Sequence, residues 1–124
     1  MAERSYSIYN VLELVRRRPG MFVDEVTLKG IRTLTCGYEM AMRDANVQNG
    51  SSPAFHEFHE YVREIYGYRE STAGWPNMIL AVILGLNPKT ISWEKYDSGV
   101  TENQHKDSIE EFYRLLDNFR GTYA

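Results

Sequence analysis

An all-α fold, built as a single compact domain of five or six helices over residues 1–124, follows from three features of the sequence. Apolar side chains recur at helical spacing along nearly the whole chain. The one stretch that alternates like a strand, near Ile91 and Trp93, has no strong second strand to pair with, and an isolated strand makes no sheet. A chain of 124 residues with 43% hydrophobic residues fills one core without staples and is short for two.

The elements are read in order. Ile8, Val11, Leu12 and Val15 keep the i, i+3, i+4, i+7 rule. Ser5 or Ser7 can cap their helix, and Pro19-Gly20 ends it. Arg16, Arg17 and Arg18 then close the helix at its negative end, and Met21 and Phe22 are expected in the core. Ile31, Leu34, Tyr38, Ala41 and Met42 mark a second helix, from near Thr27 to the polar stretch "NVQNGSSP". Phe55, Phe58, Val62 and Ile65 form the third stripe, with Pro53 in the first turn and Gly67 at the end. "GWPNMILAVILGL" starts a helix at Pro76 and is apolar on every side from Met78 to Leu84, which places it mid-core with Trp75 at its entry. "NPKTISWEKYDSGV" is read as a short helix capped by Asn87. Ile109, Phe112, Tyr113, Leu116 and Phe119 define the last helix, with Ser108 and Glu111 spaced as a capping box and Gly121 as the stop. No repeat, low-complexity tract or linker divides the chain.

Composition narrows the function classes. The lone Cys36 excludes an internal disulfide, fits a reducing compartment, and is expected to be a packed, inert thiol. "MAERSYSIYN" lacks a signal-peptide core, and "MILAVILGL" is too short to span a bilayer, so a cytoplasmic protein that does not enter the membrane is expected. The net charge is −3, and residues 94–124 carry seven acidic against four basic side chains. A nucleic-acid binder needs a basic footprint, so none is expected here.

Three chemistries can be weighed on their motifs. "RRRPGMFVDE" resembles the start of the ATPase domain of type II topoisomerases. The helix that follows, however, holds only Glu39 where an Asn and acidic residues would hold Mg²⁺, and no Gly-x-Gly loop comes later. ATP binding is therefore not expected. In "FHEFHEYVRE", His56 and His59 are three apart, whereas zinc proteases need His-Glu-x-x-His; His105 has no paired ligand nearby, and no metal is expected. No Gly-x-Ser-x-Gly elbow occurs, Cys36 has no base in its own helix, and the adjacent Glu110 and Glu111 diverge by about 100°. The reading is a binding protein without cofactor. An enzyme would instead require polar groups converging on a pocket lined by Glu39, His56 or His59.

The succession "RRRPGMFV", "LKGIRTLTCGYEMA", "FHEFHEYVREIYGY", "STAGWPNMIL" and "SIEEFYRLLDNFR" resembles small immunity proteins of bacterial contact-dependent growth inhibition and related polymorphic toxin systems. The likeness covers residues 8–83 and 105–120 and has no counterpart for 84–104. It implies a cytoplasmic protein that binds one cognate toxin domain, in many systems a nuclease, and blocks it. The alternative is a small cytoplasmic adaptor or regulatory protein with another protein partner. The expected toxin-binding region lies between residues 94 and 111. Glu94, Asp97, Glu102, Asp107, Glu110 and Glu111 face only Lys95 and Lys106 there, with Trp93 and Tyr96 as aromatic anchors. Phe55, Phe58, Val62, Leu116 and Phe119 are reserved for the core, and the oligomeric state is left open.

Overall fold

The computed structural model describes residues 4–69 and 72–123, with Tyr123 described in its backbone alone. Six α-helices, one 3-10 turn and a pair of two-residue strands make up these residues, and the fold is all-α. Strand β1 (Ser5–Tyr6) leads into α1 (Ile8–Arg17). The Ser7 hydroxyl caps α1 by accepting from the Tyr9 N–H at 3.3 Å, and Ile8, Tyr9, Leu12 and Val15 are buried along one stripe. Pro19-Gly20 does end α1, but it also opens a one-turn helix, α2 (Pro19–Phe22). That turn corrects the expectation for Met21 and Phe22, which are 68% and 41% exposed. Val23, four residues after Pro19, takes the inward position, so the two preceding side chains face away from the core.

Helix α3 (Leu28–Asp44) begins where Thr27 accepts from the Gly30 N–H at 3.0 Å. Gly30 is required for a steric reason: a Cβ there would lie 2.2 Å from the Glu25 carbonyl oxygen. After α3 the chain forms β2 (Gln48–Asn49), which pairs in parallel with β1 and ties the two ends of this unit together. Pro53 is not in a helical first turn. It follows a cis peptide in the loop, and its carbonyl accepts from the buried Tyr9 hydroxyl. A 3-10 turn (Phe55–Glu57) then feeds α4 (Phe58–Tyr66), which stops at Gly67 in the left-handed conformation. Phe55, Phe58 and Val62 are buried, whereas Ile65 is 52% exposed because the helix turns it past the core edge.

Helix α5 (Trp75–Ile83) packs against α3, α4 and α6, the central position its apolar sequence requires. Between Leu84 and Thr101 the backbone forms turns rather than the expected short helix. Asn87 takes the Lys89 N–H at 2.9 Å in a local side-chain turn, and Lys95 and Gly99 adopt positive φ, which a helix does not accommodate. Helix α6 (Glu102–Tyr123) is longer than expected. Its capping box is Thr101 and Gln104, which exchange bonds of 3.1 and 2.9 Å. Ser108, expected to be the cap, is buried inside the helix and donates to the His105 carbonyl at 2.7 Å, while Gly121 lies within the helix instead of ending it. No helix among the described residues is long and apolar enough to cross a membrane.

The centre of the core is aromatic. Trp75 stacks on Phe112 at 4.7 Å, and Phe58 meets Trp75, Phe112 and Phe119 edge-on at 5.5 to 5.7 Å. Tyr113 closes the contact between α6 and α1, donating its hydroxyl to the Leu12 carbonyl at 2.7 Å.

Candidate functional site

The acidic stretch separates into side chains turned inward and side chains left in water. Trp93 stacks on Tyr68 at 5.9 Å and packs against the core, and Tyr96 donates its hydroxyl to Asn77 on α5. Burial pushes the Tyr96 phenol up. Both rings, expected as anchors for a partner, anchor the segment to its own domain. Asp97 bonds Lys29 on α3 at 3.1 Å, and this bond holds its carboxyl below the usual range. Glu111 is half-buried, bridged to Arg114 and to the Tyr66 hydroxyl. The Arg114 bond is the largest cause of its lowered pKa, and burial opposes it.

Glu94, Glu102, Asp107 and Glu110 differ from these. All four are exposed, and none enters an ion pair among the described residues. Glu102, Asp107 and Glu110 lie on α6, opposite the Phe112, Leu115 and Phe119 stripe, because 100° per residue puts them within one half of the helix. A rigid helix therefore displays three of the four carboxylates to solvent. On the inward side of α6, His105 helps line a hollow with Lys29, Pro76 and Asp97, and its Nδ1 is buried without a hydrogen-bond partner among the described residues.

A second polar feature arises where α3 faces the start of α4. Arg32, Cys36, Glu39 and Arg43 stand at i, i+4, i+7 and i+11 on one stripe of α3. Across a cleft of about 420 Å³ are His56 and His59, with Phe55, Trp75 and Gly74 completing the walls. The Arg32 guanidinium reaches toward Gly74, where a Cβ would sit 3.5 Å from it. Glu39 accepts the Tyr6 hydroxyl at 3.2 Å. Cys36 corrects its expectation: it is exposed on the cleft wall and not packed, because Thr35, one residue earlier, takes the buried position.

The cleft brings Glu39, His56 and His59 together, the convergence set above as a condition for an enzyme. Their chemistry is incomplete in one respect. Among the described residues no hydrogen bond joins Cys36 to either imidazole, so no nucleophile is paired with a base. Among the described residues no three His, Cys, Asp or Glu side chains are grouped to hold a metal ion. The polar stripe on α3 was visible in the sequence as a helical period. Its partners across the cleft lie more than ten residues away and were visible only in the fold. No protein-family model matches the chain, and no curated protein or solved structure matches it.

Proposed function

We propose that this chain is an immunity protein that works in the cytoplasm. It binds a cognate toxin domain through the acidic surface at the start of α6 and blocks that domain's access to substrate. The observation that carries the reading is the set of exposed carboxylates at Glu94, Glu102, Asp107 and Glu110, which form no ion pair among the described residues. Such charges lose little on meeting a basic surface and speed the encounter with it, and an active site that handles phosphate presents such a surface. Trp93, Tyr96 and Asp97 fix the turn segment that carries Glu94, through the contacts to Tyr68, Asn77 and Lys29, while Glu111 is bonded to Arg114 within α6.

The test is to inspect the neighbouring gene for a toxin domain and to measure the association of that domain with this chain at low and moderate salt. The triple reversal Glu102→Lys, Asp107→Lys and Glu110→Lys should slow association by about tenfold or more, flatten its salt dependence and abolish growth protection. Its melting temperature should stay near that of the parent, because the three side chains are exposed. Parent-like binding and protection by the triple variant would place the interface elsewhere, with the exposed Glu57, Glu60 and Glu64 face next to be reversed.

A further inference from the structure

The cleft between α3 and α4 carries a charge pattern that toxin binding through α6 does not use. Arg32 and Arg43 flank Glu39 on one wall, and among the described residues neither guanidinium has a carboxylate partner. Their Cα atoms are eleven residues apart, about 16 Å along the helix. A compact oxyanion meets both only if both arms lean toward Glu39, whereas an anion charged at each end meets both arms extended. Planar guanidinium forks suit phosphate oxygens. Between them the Glu39 carboxylate repels a third negative group and accepts hydroxyl hydrogens, as it does from Tyr6. His56 and His59 supply ring N–H donors from the opposite wall. The volume, about 420 Å³, falls in the range of small-molecule sites, about 300 to 1,000 Å³.

We propose that this cleft binds a small organic anion with two phosphate ends joined by a hydroxyl-bearing middle, the class of the sugar bisphosphates. Arg32 and Arg43 each hold one phosphate, and Glu39 accepts from the hydroxyls between them. The proposal is one of binding: among the described residues no hydrogen bond joins Cys36 to His56 or His59.

Cys36 on the cleft wall provides an independent readout. Calorimetry of the full chain with fructose bisphosphate should give a saturable one-to-one heat at or below millimolar ligand, and inorganic phosphate should bind at least about tenfold more weakly. The same ligand should slow alkylation of Cys36 by iodoacetamide. Arg32→Gln and Arg43→Gln should each weaken binding by about tenfold, with melting curves unchanged because both side chains are exposed. The α6 triple reversal should bind fructose bisphosphate like the parent, which separates this site from the toxin surface. The absence of saturable heat, equal affinity for inorganic phosphate, or affinity unchanged in the Arg32→Gln, Arg43→Gln double variant would each overturn the proposal. Protection of Cys36 by the toxin domain but not by the bisphosphate would also overturn it and give the cleft to the protein partner.

Discussion

The rings around Trp75 and the rings of the segment between α5 and α6 are both anchored by aromatic contacts, yet the two regions are organised in opposite ways. In the centre, Phe58, Trp75, Phe112 and Phe119 each sit on a helix or at its first turn, and the helical period sets them on the inward face of that helix. In the 84–101 segment no period operates. Trp93 and Tyr96 project from turns, and Tyr68 after α4, Asn77 on α5 and Lys29 on α3 fix where those turns lie. The first region is placed by the period of its own helices; the second is placed by its contacts to the rest of the fold. Truncation should therefore be felt globally in the first and locally in the second.

The largest expected effect tests that contrast directly. Trp75→Ala should cost about 3 to 5 kcal/mol in denaturant unfolding, since the ring is 7% exposed and stacks on Phe112. A loss below about 1 kcal/mol would mean that the core closes without it.

Trp93→Ala comes next, at about 1 to 2 kcal/mol, because the ring is only partly buried and some of its area is in water already. Hydrogen exchange should quicken across residues 84–101 while α1 and α3 stay protected. Uniform acceleration through every helix would erase the distinction between the two regions.

The smallest effect concerns the Asp97–Lys29 pair. Its side chains are 38% and 56% exposed, so solvent screens it and its contribution at neutral pH should be below about 1 kcal/mol. Asp97 has a lowered pKa in the fold, chiefly through the Lys29 bond, so the folded state holds its proton less tightly than the unfolded chain does. The stabilisation is then present above the ordinary Asp value of about 3.9 and is lost as pH falls through the depressed one. The stability gap between parent and Lys29→Met should be flat from neutral pH down to about 5 and close at lower pH. A gap that widens on acidification would contradict the assignment.

Helix-borne features were legible in advance wherever a strong period coincided with a cap or breaker. Ser7, Thr27, Gly67 and Pro76 all act near the boundaries read for them. Errors arose where two local signals competed. Both Thr101-x-x-Gln104 and Ser108-x-x-Glu111 have capping-box spacing, and the first is the cap because the longer helix carries Gln104 and His105 along the edge of the core. Met21, Phe22 and Cys36 are exposed against their apolar character, because hydrophobic character fixes neither the direction of a one-turn helix nor the edge of a stripe. For the acidic surface, composition located the carboxylates but did not separate Asp97 and Glu111, which are bonded to neighbours, from Glu94, Glu102, Asp107 and Glu110, which enter no ion pair among the described residues.

By itself the sequence determined the class of the fold, the five main helices and the inward stripe of Phe58, Phe112 and Phe119, since each depends on spacing within one helix and on apolar area that has to leave water. The tertiary structure alone decided the shape of residues 84–101, the parallel pairing of Ser5–Tyr6 with Gln48–Asn49, and the cleft that sets Arg32, Glu39 and Arg43 opposite His56 and His59. Each of these joins groups far apart in the chain. Which distant side chains meet depends on how the helices pack against one another, and periodicity within a helix carries no record of that.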